Sequence, residues 1–103
     1  MALRVNSDNF DKEVLQSELP VLVDFYSDSC VPCKMLAPVL SQIESENNGS
    51  LKVVKINVNY DIELAKRFEV RAAPTLVLFK NGKEQARHRS IASKDEIEAL
   101  ISK

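Results

Sequence analysis

The sequence predicts an α/β fold, a three-layer α/β/α sandwich, from three observations. The segment 21-VLVDFY-26 is apolar on both faces, as a strand is when helices cover both sides of a sheet, and 75-TLVLF-79 is a second short apolar run. Between such runs apolar residues recur at helical spacing, so strands and helices alternate. A hairpin signal and a last amphipathic helix close the order, which completes layers of helix, sheet and helix. The 103 residues suit a single domain, 1–103, long enough to bury a core without disulfide staples.

Taken in order, Ser7 and Asp8 offer N-caps for a helix through Gln16, with Phe10, Val14 and Leu15 as its apolar stripe. Pro20 opens the buried strand 21-VLVDFY-26. After the cysteines, Met35, Leu36, Val39, Leu40 and Ile43 recur at helical spacing up to 47-NNGS-50, where Gly49 ends the helix. Pro38 lies inside this stripe and predicts a kink rather than a break. The run 51-LKVVKINV-58 is a strand, and Asp61 starts a short helix that turns Leu64, Ala65 and Phe68 inward. Asn81-Gly82 joins 75-TLVLFK-80 to 83-KEQARHRS-90 as a hairpin, because both turn positions need positive φ. The second hairpin strand is almost wholly polar and reads as a charged edge that discourages pairing with other chains, hence a monomer. Ser93 and Glu96 form a capping box before a helix that buries Ile97, Leu100 and Ile101.

Composition removes several classes of function. Net charge is -1 with both signs interspersed, so no basic surface for nucleic acid is expected. The stretch 87-RHR-89 reads as a solvated strand face with His88 exposed. No segment approaches a membrane span, and MALRVNSDNFDKEVL lacks a signal-peptide core, which predicts a cytoplasmic protein with no membrane partner. In that compartment two cysteines point to metal or redox chemistry rather than a structural staple.

Both cysteines lie in 29-SCVPCK-34, where a buried strand gives way to a helix. Pro32 suits the first helical turn, where its missing N–H costs nothing. At a helix N-terminus Cys30 faces unpaired N–H groups and the positive end of the dipole, which favour the thiolate and make it the nucleophile. Cys33, about one turn on and more buried, is spaced to resolve a mixed disulfide formed at Cys30. A zinc site needs about four ligands. Beyond the pair only His88 and carboxylates are available, with no second C-x-x-C. Purely structural cysteines rarely fall at this spacing after a strand. A redox couple outweighs both alternatives, with no metal expected.

The segments 21-VLVDFY-26, 30-CVPCKMLAPVL-40, 53-VVKINV-58 and 73-APTLVLFKNGK-83, in this order, resemble the thioredoxin family over nearly the whole chain. The resemblance implies the thioredoxin fold, with a mixed central sheet of about five strands and about four helices. It also implies a protein-disulfide reductase carrying a redox-active Cys30–Cys33 disulfide and no bound cofactor. Its reducing equivalents would come from a thioredoxin-reductase-type flavoprotein using NADPH or ferredoxin, and its substrates would be disulfide-containing proteins. Asp24 sits inside an apolar strand, where its pKa should rise. In the family the matching acid lies beneath the disulfide and assists proton transfer at the buried cysteine. Lys55 matches the lysine that tunes this acid, and Pro74 matches a cis-proline beside the sulfurs, where substrate backbone pairs. Pro32, by the same analogy, favours a reducing couple.

The usual family motif W-C-G-P-C-K reads here Ser29-Cys30-Val31-Pro32-Cys33-Lys34. Tyr26 and Ser29 stand where the family generally has aromatic residues, usually tryptophan, Ala73 replaces a larger branched residue, and Ser90 falls where a glycine is usual. Ser29, Val31, Ala73 and Ser90 are therefore expected substrate contacts with altered character. The methyls of Val31 crowd the approach to Cys30, which predicts a modest change in potential and a larger one in partner choice. Two rival readings remain. One is an interaction module or specialised redox partner with narrow substrate range and weak generic reductase activity. The other is a metal held by the cysteine pair across a dimer.

Overall fold

The computed structural model describes residues 2–103. Among them five strands form one sheet: β1 (Leu3–Arg4), β2 (Val21–Tyr26), β3 (Lys52–Asn57), β4 (Thr75–Lys80) and β5 (Lys83–Arg89). Their order is β1-β3-β2-β4-β5. β1 and β2 run parallel to β3, whereas β4 runs antiparallel to β2 and to β5, so the sheet is mixed as expected. Four helical segments accompany it: a π-helical turn at Asp11–Leu15, then α1 (Val31–Glu46), α2 (Ile62–Arg67) and α3 (Lys94–Ile101).

The alternation of side chains along the strands divides the core in two. Val21, Val23 and Phe25 of β2 join Val54 and Ile56 of β3 beneath Phe10, Val14 and Leu64, on the side of the π-helical turn and α2. Phe68 packs here at a tilt against Phe10 and edge-on to Phe79. Leu22, Val53, Leu76 and Leu78 face the other way, against Leu36, Leu40 and Ile43 of α1 and Ile97 and Leu100 of α3. By the same alternation Asp24 and Tyr26 share the α1 side with Leu22, and Lys55 and Asn57 share it with Val53. Three layers thus place a carboxyl inside the sheet, under the start of α1.

Several local expectations hold and some do not. β2 and β4 span the anticipated residues, and α1 continues unbroken through Pro38. The capping box at Ser93 and Glu96 is formed in both directions. At the chain start, however, neither Ser7 nor Asp8 caps the helical segment, whose N-cap is Phe10 with no side-chain bond; Asn6 Oδ1 accepts from the N–H groups of Asp8 and Asn9 and holds the turn before it. Ser7 instead donates its N–H and hydroxyl to Asp61 Oδ1, so the residue that starts α2 makes no side-chain cap bond of its own. Met35 points outward at 62 % exposure, since the stripe that faces the sheet is Leu36, Leu40 and Ile43. The 87–89 stretch is not a purely solvated face: Arg87 is half-buried, donating to Glu84 and to the Phe68 carbonyl. β1 had no signal in its two residues, because its pairing with β3 is entirely long-range.

The hairpin turn requires its glycine twice over. Gly82 has φ +77°, and a Cβ there would meet the Leu15 carbonyl oxygen at 2.9 Å. Gly49 has φ +85° but open space around it. Gly82→Ala should therefore cost about 2 kcal/mol or more and Gly49→Ala about 1 kcal/mol in urea unfolding, the difference being the clash with backbone. Equal losses would show that the Leu15 contact relaxes freely.

Candidate active site

Cys30 is the N-cap of α1, extended at φ -88° and ψ 107°, and its sulfur accepts the Cys33 N–H at 3.1 Å. Pro32 occupies the first turn, and that turn holds no acid to offset the positive end of the helix dipole. The two cysteines are joined as a disulfide, their Cα atoms 5.2 Å apart. Cys30 is 9 % exposed and Cys33 6 %, so the expected difference in burial is small, and access is decided by what surrounds each sulfur. In the reduced protein the same N–H and dipole would stabilise a Cys30 thiolate.

Beneath α1 lies Asp24, 6 % exposed, whose Oδ1 meets no hydrogen-bond donor among the described residues. Burial pushes its carboxyl up to about 7, while the Lys55 ammonium pulls in the opposite direction. Asp24 and Lys55 are register partners on β2 and β3. Together with Cys33 and Tyr26 they line a pocket of about 250 Å³ that opens to solvent. Carboxyl, lysine and the inner sulfur thus share one small space, with room for water.

On the other flank Ala73–Pro74 is a cis peptide bond, and the Ala73 carbonyl oxygen lies 3.5 Å from Cys30 Sγ. Thr75 donates its hydroxyl to the Ala72 carbonyl at 2.7 Å, holding this loop. The Ser90 N–H donates to the Pro74 carbonyl at 2.9 Å, with Ser90 at φ +73°. That left-handed backbone is the physical reason a glycine would be at ease there. The four expected contact residues are therefore linked around one sulfur. Ser29 and Val31 flank it in sequence, Ala73 touches it, and Ser90 is tied to the residue after Ala73. Val31 is 64 % exposed, and Ile91 next to Ser90 is an exposed apolar neighbour that the sequence reading missed.

Two other features escaped it. Asp28 accepts from Asn57 Nδ2 at 2.9 Å and donates its N–H to Asn59, tying the segment before Cys30 to the loop after β3. Arg4 donates to the Tyr26 hydroxyl at 2.9 Å. A signal for the first existed: Asn57 is a lone amide at the end of an apolar strand, and it is buried. Among the described residues no group of three or more His, Cys, Asp or Glu is placed to hold a metal, and no helix is long and apolar enough to cross a membrane.

A disulfide at a helix N-terminus, over a buried acid and beside a cis-proline loop, defines a thiol–disulfide oxidoreductase. The comparisons with known proteins agree. The thioredoxin family model matches residues 1–103. The thioredoxin of Rickettsia felis is 40 % identical over 103 residues, all of this chain and 98 % of that protein. That of Acidithiobacillus ferridurans is 40 % identical over 99 residues, 96 % of this chain and 92 % of the other. Thioredoxin 1 of a Nostoc species is 42 % identical over 83 residues, 81 % and 78 % of the two chains. The chain belongs to the thioredoxin family, as a protein-disulfide oxidoreductase.

The raised Asp24 carboxyl has a consequence for stability. The folded protein holds this proton more tightly than the unfolded chain, so between about pH 4 and about pH 7 folding stability falls as pH rises. Asp24→Asn carries no such titration. In the oxidised protein its stability relative to wild type should grow across that window, by roughly 4 kcal/mol at most, and stay level above it. Urea midpoints across pH check this; a constant difference would mean that Asp24 titrates alike in both states.

Proposed function

We propose that the protein works as a cytoplasmic dithiol reductant of protein disulfides, with Cys30 attacking and Cys33 resolving. The observation that carries this is the asymmetry of the two sulfurs. Cys30 receives a helix N–H and borders the Ala73 carbonyl, whereas Cys33 shares a pocket with Asp24.

The Cys30 thiolate attacks one sulfur of a substrate disulfide, forming a mixed disulfide and releasing the other substrate sulfur as thiolate. Cys33 passes its proton to the Asp24 carboxylate, directly or through water in the pocket. The Cys33 thiolate then attacks Cys30 Sγ, the second substrate thiolate leaves, and the Cys30–Cys33 disulfide forms. Two electrons have moved from protein to substrate. A carboxyl titrating near 7 can accept that proton and return it at neutral pH. Lys55 tunes Asp24, and Pro32 keeps the first turn of α1 in shape. Pro74 presents the Ala73 backbone, on which a substrate strand could pair beside Cys30. Ser29, Val31, Ala73 and Ser90 form the contact face around the sulfur. A flavoprotein reductase would return the electrons, and the protein would act as a monomer without a bound cofactor.

One observation favours a narrower version of this reading, a redox partner of restricted range. The methyls of Val31 stand exposed at the N-terminus of α1, next to the sulfur a substrate must reach, while Ser29 and Ser90 are polar and exposed. Val31→Gly should then raise the rate of generic disulfide reduction several-fold with little change in potential. If instead the potential shifts and the rate does not, Val31 acts on the thiolate rather than on access.

The reductant reading is tested by equilibrating the protein in dithiol/disulfide buffers. A reversible couple near roughly -270 mV, the established thioredoxin figure, is expected, and one near about -180 mV would make it an oxidant or isomerase. Cys33→Ser should accumulate mixed disulfides through Cys30, and Cys30→Ser should accumulate none.

A further inference from the structure

A polar chain crosses the sheet on the α1 side, beyond the groups that handle sulfur. Arg4, Lys55 and Asp24 are register partners on β1, β3 and β2, so their side chains start from one row. Tyr26 lies two residues beyond Asp24 on the same face. Arg4 Nη2 reaches over to donate to the Tyr26 hydroxyl at 2.9 Å, and Lys55 Nζ stands 5.9 Å from the centre of the Tyr26 ring. That separation is within cation–π range, and the ring forms a wall of the pocket that Asp24 and Cys33 share. A lysine ammonium on a flexible four-carbon stem has no fixed position of its own. A ring held at its far end by a second strand supplies one.

We infer that Arg4 and Tyr26 are positioning residues that form a clamp. Arg4 fixes the Tyr26 ring, and the ring holds the Lys55 ammonium at the mouth of the Asp24 pocket, setting how readily protons pass between Asp24, Cys33 and water. The clamp rests on the reading of Asp24 as the proton partner of Cys33, and both residues act only through Lys55. The other groups around the pocket are accounted for. Cys33 and Lys34 face it from α1, and Asp28 faces it from the loop after β2, bonded to Asn57. β4 presents only the apolar Leu76 opposite Asp24. Lys55 is the cation that draws the Asp24 carboxyl downward, so displacing it leaves burial unopposed.

The test titrates the Asp24 carboxyl by ¹³C NMR in the oxidised full chain. Tyr26→Phe keeps the ring and removes the hydroxyl; Arg4→Ala removes the donor. Each should raise the Asp24 midpoint by roughly half a pH unit, the effect of moving one charge by about 1.5 Å at an effective dielectric of about 20. The double variant should add nothing further, and in a Lys55→Gln background neither change should move the midpoint. In single turnover, the pH profile of mixed-disulfide resolution should shift with the midpoint. An unmoved midpoint overturns the clamp. So does a shift that persists without Lys55, because Arg4 would then act as a distant charge or the ring as a mere wall. Asp24→Asn separates the two readings. If its resolution step keeps the wild-type pH profile, the role of Asp24 fails, while the clamp is judged on the carboxyl titration alone.

Discussion

A carboxylate buried without a hydrogen-bond partner is among the costliest groups a small core can hold, and much of this molecule is arranged around one. Asp24 occupies a position on β2 whose neighbours along the strand, Val23 and Phe25, are fully buried. Strand alternation turns it toward α1, and the parallel pairing with β3 sets Lys55 beside it. The cost is met by keeping a proton on the group, which is why its carboxyl titrates near neutrality. The destabilisation of the oxidised fold at higher pH and the role proposed for Asp24 beside Cys33 have one cause. Replacing the acid would repair the first and remove the second.

The sulfur site is assembled from parts with different origins. Its reactive end is local: five consecutive residues place Cys30 at a helix start, with Cys33 one turn further on. The flank beside Cys30 is non-local, because the Ala73 carbonyl reaches Cys30 from the loop before β4 and Ser90 closes on Pro74 from the end of β5. Its proton side comes from the middle of the sheet. Only complete folding brings the three together, so the thiol chemistry of the dithiol motif is tuned by strands far away in sequence.

That division explains what was legible in the sequence. Cys30, Cys33 and the helix that follows them were readable from spacing and capping, and Asp24 stood out as a lone acid in an apolar strand. The hairpin at Asn81-Gly82 was equally plain, since both residues adopt positive φ. Features that depend on pairing between distant segments were not. β1 is two residues long and owes its existence to β3. Ser7 and Asp8 both suit a cap, but Ser7 is drawn to Asp61, 54 residues away, and Asn6 holds the turn before the helical segment instead. Met35 was counted as core because it fits the helical period, but the stripe facing the sheet is narrower than the apolar sequence pattern. Likewise, Arg4 looked like any surface cation until β1 paired beside Lys55.

The departures from the usual family motif fall on one side of this architecture. Val31, Ser29, Ala73 and Ser90 all lie around Cys30, and none lines the pocket that joins Asp24, Lys55 and Cys33. On the proposed function, changes there would alter which disulfides can approach while leaving the pocket of Asp24 and Cys33 as it is. Tyr26 is the exception, since it lines that pocket, and its hydroxyl gives Arg4 an acceptor. A residue that donates only, such as the tryptophan usual at this position, could not accept the guanidinium's hydrogen bond. The same substitution that shrinks the aromatic surface thus creates an anchor point on β1. On this chain the departures from the family motif and the groups lining the Asp24 pocket are separate residues, save for Tyr26, which belongs to both.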